Sequence, residues 1–144
     1  MSIKDQIQTD LTKSLKEKDD LKLQTLRLLV SAIHNDEIAK KTQLSDTEIF
    51  IVIKKEVKKR KEAAEGFKAG GRMEQSEKEI AESDILVAYL PEDMSEAEVS
   101  KIIDEEIANH PDEKIGLIIG LVMKRVGSGA DGALVAKLVN SKLH

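Results

Sequence analysis

The sequence contains no cysteine and no tryptophan, two prolines, and only Phe50, Phe67 and Tyr89 as aromatic residues. Without cysteine there is no disulfide and no thiolate metal site, and a reducing compartment suits the chain; the cytoplasm is the expected location. Scarce aromatics argue against a surface that stacks on single-stranded bases, since such platforms need exposed rings. The three histidines, His34, His110 and His144, show no spacing that pairs them with one another or with a serine, so no catalytic triad is visible. Neither H-x-x-x-H nor H-E-x-x-H occurs, and no metal and no cofactor are expected. Long apolar runs are missing too. Ile115 to Met123, the longest, is interrupted by two glycines and falls well short of the ~20 residues that cross a bilayer. The start, Met1-Ser2-Ile3-Lys4-Asp5-Gln6, lacks the apolar stretch of a secretory signal. No membrane partner is expected.

What the chain does have is charge laid over helical periodicity. With 40% of its 144 residues hydrophobic it can bury a core, and with 35% charged but a net charge of -4 both signs must be interspersed. Their distribution is uneven: residues 91–113 hold nine acids against Lys101, whereas residues 114–144 hold five basic residues against Asp131.

Apolar residues recur at helical steps nearly throughout, as at Ile3, Ile7, Leu11 and Leu15. Asp19 or Asp20 can cap a second helix that runs to about Lys40-Lys41-Thr42. Ser45-Asp46-Thr47-Glu48 is a capping box that opens a third, and Ile49-Phe50-Ile51-Val52-Ile53, strand-like alone, continues into Lys54–Phe67 at helical spacing. Gly70-Gly71 breaks that helix. A fourth, roughly Met73 to Ala88, ends before Tyr89-Leu90-Pro91, where a lobe boundary is expected. A second capping box, Ser95 to Glu98, opens helix five, and His110-Pro111 closes it. Helix six runs from about Lys114 to Val126, and Asp131 can cap helix seven after a glycine-rich turn. The expected fold is all-α: a four-helix N-terminal lobe (residues 1–90) and a three-helix C-terminal lobe (residues 91–144).

Several patterns bear on chemistry. Gly127-Ser128-Gly129-Ala130-Asp131-Gly132 matches G-x-G-x-x-G, but that fingerprint works after a strand, and here it follows a helix. Free N–H groups at the start of helix seven could meet a phosphate, with Asp131 competing for them. Asp36-Glu37 and Asp104-Glu105-Glu106 are read as solvated faces, because adjacent helical residues point about 100° apart. Lys54, Lys55, Lys58, Lys59 and Lys61 fall on one arc of helix three, opposite Ile49, Ile53, Val57 and Phe67. A lysine ridge of this kind is either a solvated face or a salt-dependent binder of phosphates. Gly116 and Gly120, four apart on helix six, permit close helix approach, with simple packing as the plainer expectation. Lys124 and Arg125 in the last turn suit the helix dipole and can meet an anion.

Gly116-x-x-x-Gly120-x-Val122-Met123-Lys124, then Ala130-Asp131-Gly132-x-x-Val135-x-x-Leu138-Val139, with Tyr89-Leu90-Pro91-Glu92 ahead of Ser95, closely resembles the YqeY-like family. That family shares its C-terminal part with the tail domain of the GatB and GatE subunits of tRNA-dependent amidotransferases. The resemblance covers the whole chain and implies the two-lobe all-α fold and a tRNA-positioning role, with glutaminase and ligase chemistry residing in domains absent here. In relatives a lysine or arginine usually stands in the turn before Ala-Asp, where this chain has Ser128 and Gly129. That leaves Lys124, Arg125, Lys137 and the helix-three ridge as candidates for RNA contact. The expected function is therefore a non-catalytic module that binds tRNA or a tRNA-amidation complex. The alternative is a protein–protein adaptor, and carbon–nitrogen ligase activity with glutamine as amido donor has the family association alone behind it.

Overall fold

The computed structural model describes residues 2–143, the side chain of Ser128 excepted; His144 lies outside the described residues. All regular structure among them is helical: α1 (Ile3–Glu17), α2 (Asp20–Lys40), α3 (Asp46–Ala69), α4 (Met73–Val87), α5 (Glu96–Asn109), α6 (Ile115–Val126) and α7 (Gly132–Leu143), with a 3-10 turn at Gly127–Gly129. The β-branched run at Ile49–Ile53 is helical, since Ile49, Val52 and Ile53 fall on one buried stripe of α3. The chain divides into two compact units, Met1–Leu90 and Pro91–His144.

In the first unit, local hydrogen bonds fix where each helix begins. The Ser2 hydroxyl accepts the Asp5 N–H and the Asp19 carboxylate accepts that of Lys22. At Ser45 both halves of the capping box are made. α1 and α2 end on Lys18 and Lys41 in the left-handed conformation (φ 59° and 57°), a position glycine usually takes. Ile7, Leu26, Leu29, Ile33, Ile49, Ile53, Val57 and Leu86 form the core. The Ser76 hydroxyl donates to the Ala64 carbonyl at 2.8 Å and ties α4 to α3. Tyr89 and Leu90 pack against this core, and the Tyr89 hydroxyl donates to Asp10 on α1. Burial, and then that bond, push the Tyr89 phenol well above its ordinary pKa.

The second unit has its own core of Val99, Ile103, Ile118, Val122, Val126, Val135 and Val139. Ser95 caps α5 by accepting the Glu98 N–H at 3.2 Å, but no return bond from the Ser95 N–H to the Glu98 carboxylate is made among the described residues, so the expected capping box is a simple cap. The turn after α6 needs its glycines. Gly127 sits at φ 55°, ψ -123°, which L side chains rarely adopt. A Cβ on Gly129 would come within 3.0 Å of Met94 Cγ, where the Gly129 carbonyl accepts the Met94 N–H at 2.7 Å. Asp131 then caps α7 through a 3.4 Å bond from the Ala133 N–H. No described helix is long and apolar enough to cross a membrane.

One brace in the first unit is sensitive to pH. Glu37 accepts the Leu44 N–H at 3.0 Å and takes the Lys4 ammonium at 2.9 Å. The Leu44 bond foremost, then Lys4, hold its carboxyl below the ordinary carboxylate range. A lowered folded pKa gives stability that is complete above the unfolded value and is lost as pH falls through the folded one. Thermal melts between about pH 7 and about pH 3 should therefore show a shallower acid decline for Glu37→Gln than for the native chain. Parallel declines in the two proteins would mean that the brace does not contribute.

Candidate nucleic-acid interface

α3 carries its chemistry because one side of it is anchored. Ile49, Ile53, Val57 and Ala64 are buried, and Phe67 is half-buried, so the opposite arc faces outward. Lys55, Lys58, Lys59 and Lys61 are exposed there, while Lys54 is partly covered and engaged in an interaction. The Lys59 ammonium lies 3.5 Å from Glu56. Among the described residues, Lys55, Lys58 and Lys61 make no ion pair.

Arg60 is a charged residue beside the ridge that the sequence pattern did not single out. Only 7% exposed, it lies within the apolar stripe, three residues after Val57 and four before Ala64. Its Nε donates to Glu82 at 3.2 Å, and its Nη1 to the Glu56 carboxylate at 3.1 Å and the Glu56 carbonyl at 3.3 Å. Glu82 is buried as well and Glu56 is partly covered, which makes this a three-member charge cluster with a buried Arg60–Glu82 pair between α3 and α4. A basic residue at a core register was the available signal.

The second unit distributes its cations differently. Arg125 donates to Glu105 at 2.8 Å and to Glu106 at 3.2 Å, and Lys142 to Asp104 at 2.8 Å. The acids of residues 91–113 and the bases of residues 114–144 thus partly neutralise one another across helices. Glu106 also lies 3.7 Å from His110 Nε2. Asp36 pairs with Lys40 and Glu37 with Lys4, so the acidic clusters read from the sequence as solvated faces are largely ion-pair partners. Lys124 and Lys137 are exposed and make no ion pair among the described residues. Of the motif residues, Ala130 and Val122 are core, Met123 packs beside that core near Gly132, and Pro91 is exposed. A Cβ on Gly116 or on Gly120 would meet nothing within 4 Å, which corrects the expectation of simple packing: both leave an open strip on α6. No group of three or more His, Asp or Glu among the described residues could hold a metal ion.

The profile of the family described as Yqey-like protein matches residues 4–143. The chain belongs to the YqeY-like family. Among the similar proteins is altered inheritance of mitochondria protein 41, mitochondrial, of Pyrenophora tritici-repentis, 26% identical over 92% of this chain and 76% of its own length. An uncharacterized protein of Schizosaccharomyces pombe is 33% identical over 62% of this chain and 72% of its own. The protein 41 of Eremothecium gossypii is 33% identical over 58% of this chain but only 46% of its own length. Two of these relatives are named as mitochondrial, and this overturns the expected cytoplasmic location. The error has a physical source: lack of cysteine signals a reducing compartment and does not choose among such compartments.

The buried cluster yields a stability test. Removing one partner of a buried ion pair leaves an uncompensated charge, at about 3–5 kcal/mol. Glu82→Ala should fall at the lower end, ~3 kcal/mol, because Arg60 keeps Glu56. The double change Arg60→Met with Glu82→Leu should recover most of the loss. Urea unfolding of the three proteins measures this, and a double variant no better than the single one would refute it.

Proposed function

We propose that the chain is a non-catalytic helical module that binds tRNA, or associates with tRNA-amidation machinery, and holds it through positive charge. The observation that carries this reading is the row Lys55, Lys58 and Lys61, exposed on one arc of α3 and without ion-pair partners among the described residues. These lysines extend over about 9 Å of helix axis, a cationic edge for a phosphate backbone that the exposed Glu62 and Glu65 interrupt. Lys124 and Lys137 add charge in the second unit. The family's shared C-terminal part with amidotransferase tails supports the choice of tRNA. Relatives named for the mitochondrion place mitochondrial tRNA among the probes. Arg125, bonded to Glu105 and Glu106, is a weaker contributor than its charge suggests.

A second reading, a protein–protein adaptor, is favoured by one observation. Met73, Ile80 and Val87, seven apart on α4, are 48%, 48% and 42% exposed and fall on one line of that helix, which a partner helix could cover. Carbon–nitrogen ligase activity rests on family association, and glutamine- and ATP-dependent amidation by the purified chain is its assay.

Filter binding of unmodified tRNA should show log affinity falling linearly with log salt. Changing Lys55, Lys58 and Lys61 to glutamate should weaken binding to all tRNAs alike and reduce the salt slope by about one for each lysine that meets a phosphate. Absence of any association at low salt retires the tRNA reading. Partners that survive nuclease treatment favour the adaptor.

A further inference from the structure

Between α2 and α3 lies a groove of about 460 Å³, a volume within the range of small-ligand sites. Leu28 and Ala32 line it from α2 and Val52 from α3. Leu28 is 56% exposed, an apolar side chain standing in the open at the groove. Ser31 and Asn35 bring a hydroxyl and an amide to the same space. The buried Arg60 also lines it, its guanidinium plane fixed by Glu56 and Glu82.

The charges at the groove leave a surplus of one. Its two acids are already engaged: Asp36 with Lys40 at 3.8 Å, and Glu56 with Arg60 and Lys59. Lys55 lines the groove and has no ion-pair partner among the described residues. One uncompensated lysine matches the single negative charge of one internucleotide phosphate.

We propose that this groove holds one unstacked nucleotide of an RNA loop. The base lies against Leu28, Ala32 and Val52, Ser31 and Asn35 meet its edge, and Lys55 takes its phosphate. This rests on the tRNA reading above and gives it a specific contact. RNA is recognised chiefly where loops splay out their bases, and a guanidinium plane serves for stacking as an aromatic ring does. The scarcity of aromatics excludes ring stacking, and Arg60, buried and held by Glu56 and Glu82, is too covered to replace a ring, which leaves the aliphatic walls. A partner helix fits less well, because helix-binding grooves take a series of apolar anchors and this one mixes three apolar residues with seven polar or charged ones.

The test compares a short single-stranded RNA with a blunt duplex of the same sequence, each titrated into the full chain alongside tRNA. Leu28 and Asn35 are exposed, so Leu28→Ser with Asn35→Ala leaves the core intact, and an unchanged Tm checks this. The variant should lose about tenfold in affinity for the single strand, equivalent to about 1.4 kcal/mol, and keep its affinity for the duplex. Lys58→Glu with Lys61→Glu, outside the groove, should weaken both. If the groove variant binds the single strand like the native chain while tRNA still binds, the nucleotide pocket is refuted and the tRNA reading stands. If the native chain binds none of the three RNAs, both fall. A nuclease-resistant protein partner released by the groove variant would also overturn the nucleotide assignment, in favour of an adaptor.

Discussion

The guanidinium of Arg60, enclosed between Glu56 and Glu82, governs the orientation of the longest helix in the chain. A buried charge must keep its partners, because desolvation without compensation costs more than any one core contact contributes. Turning α3 by one residue would swing Arg60 by about 100° and separate it from Glu82. In one sense, the same rotation would also carry Lys58 and Lys61 toward the interior. Apolar packing of Ile49, Ile53 and Val57 tolerates small adjustments, whereas the charge cluster defines one setting. The outward cationic arc is thus fixed from the other side of the helix, by apolar burial and this charge cluster together.

In the second unit charge works in the opposite direction. Acidic α5 and the basic residues of α6 and α7 bring opposite signs together at Arg125 and Lys142. Exposed pairs of this kind add little to stability. Their effect lies in the field: they remove Arg125 and Lys142 from the free positive charge of α6, α7 and their flanks and leave Lys114, Lys124 and Lys137. A basic stretch in the sequence is therefore narrower in space than along the chain.

Much of this architecture was legible in the residues themselves. The Ser45 box and the Asp19 and Asp131 caps are local signals, formed within a few residues, and helix starts followed from them. The outward arc of α3 could be read from a 100° periodicity because burial of its opposite face is a property of one helix. The Arg60–Glu82 and Arg125–Glu106 contacts join residues 22 and 19 apart on different helices, and no one-dimensional pattern supplies that distance. The α2–α3 groove is hidden for the same reason, since it belongs to two helices at once. Gly116 and Gly120 misled differently: the same spacing serves packing or leaves an open strip, and only the neighbours decide. Location was misread because a reducing environment is not a unique address.

The contact between Asp10 and Tyr89 spans 79 residues and closes the first unit's end upon its beginning. Leu86, in the same core as Ile7, has the same long reach. During synthesis α1 emerges ahead of the rest of its unit, yet its buried face and its carboxylate wait for almost the whole unit to be made. An arrest or break in synthesis ahead of Leu86 would leave a set of nascent helices with an uncovered apolar face, the kind of species that chaperones retain and proteases clear.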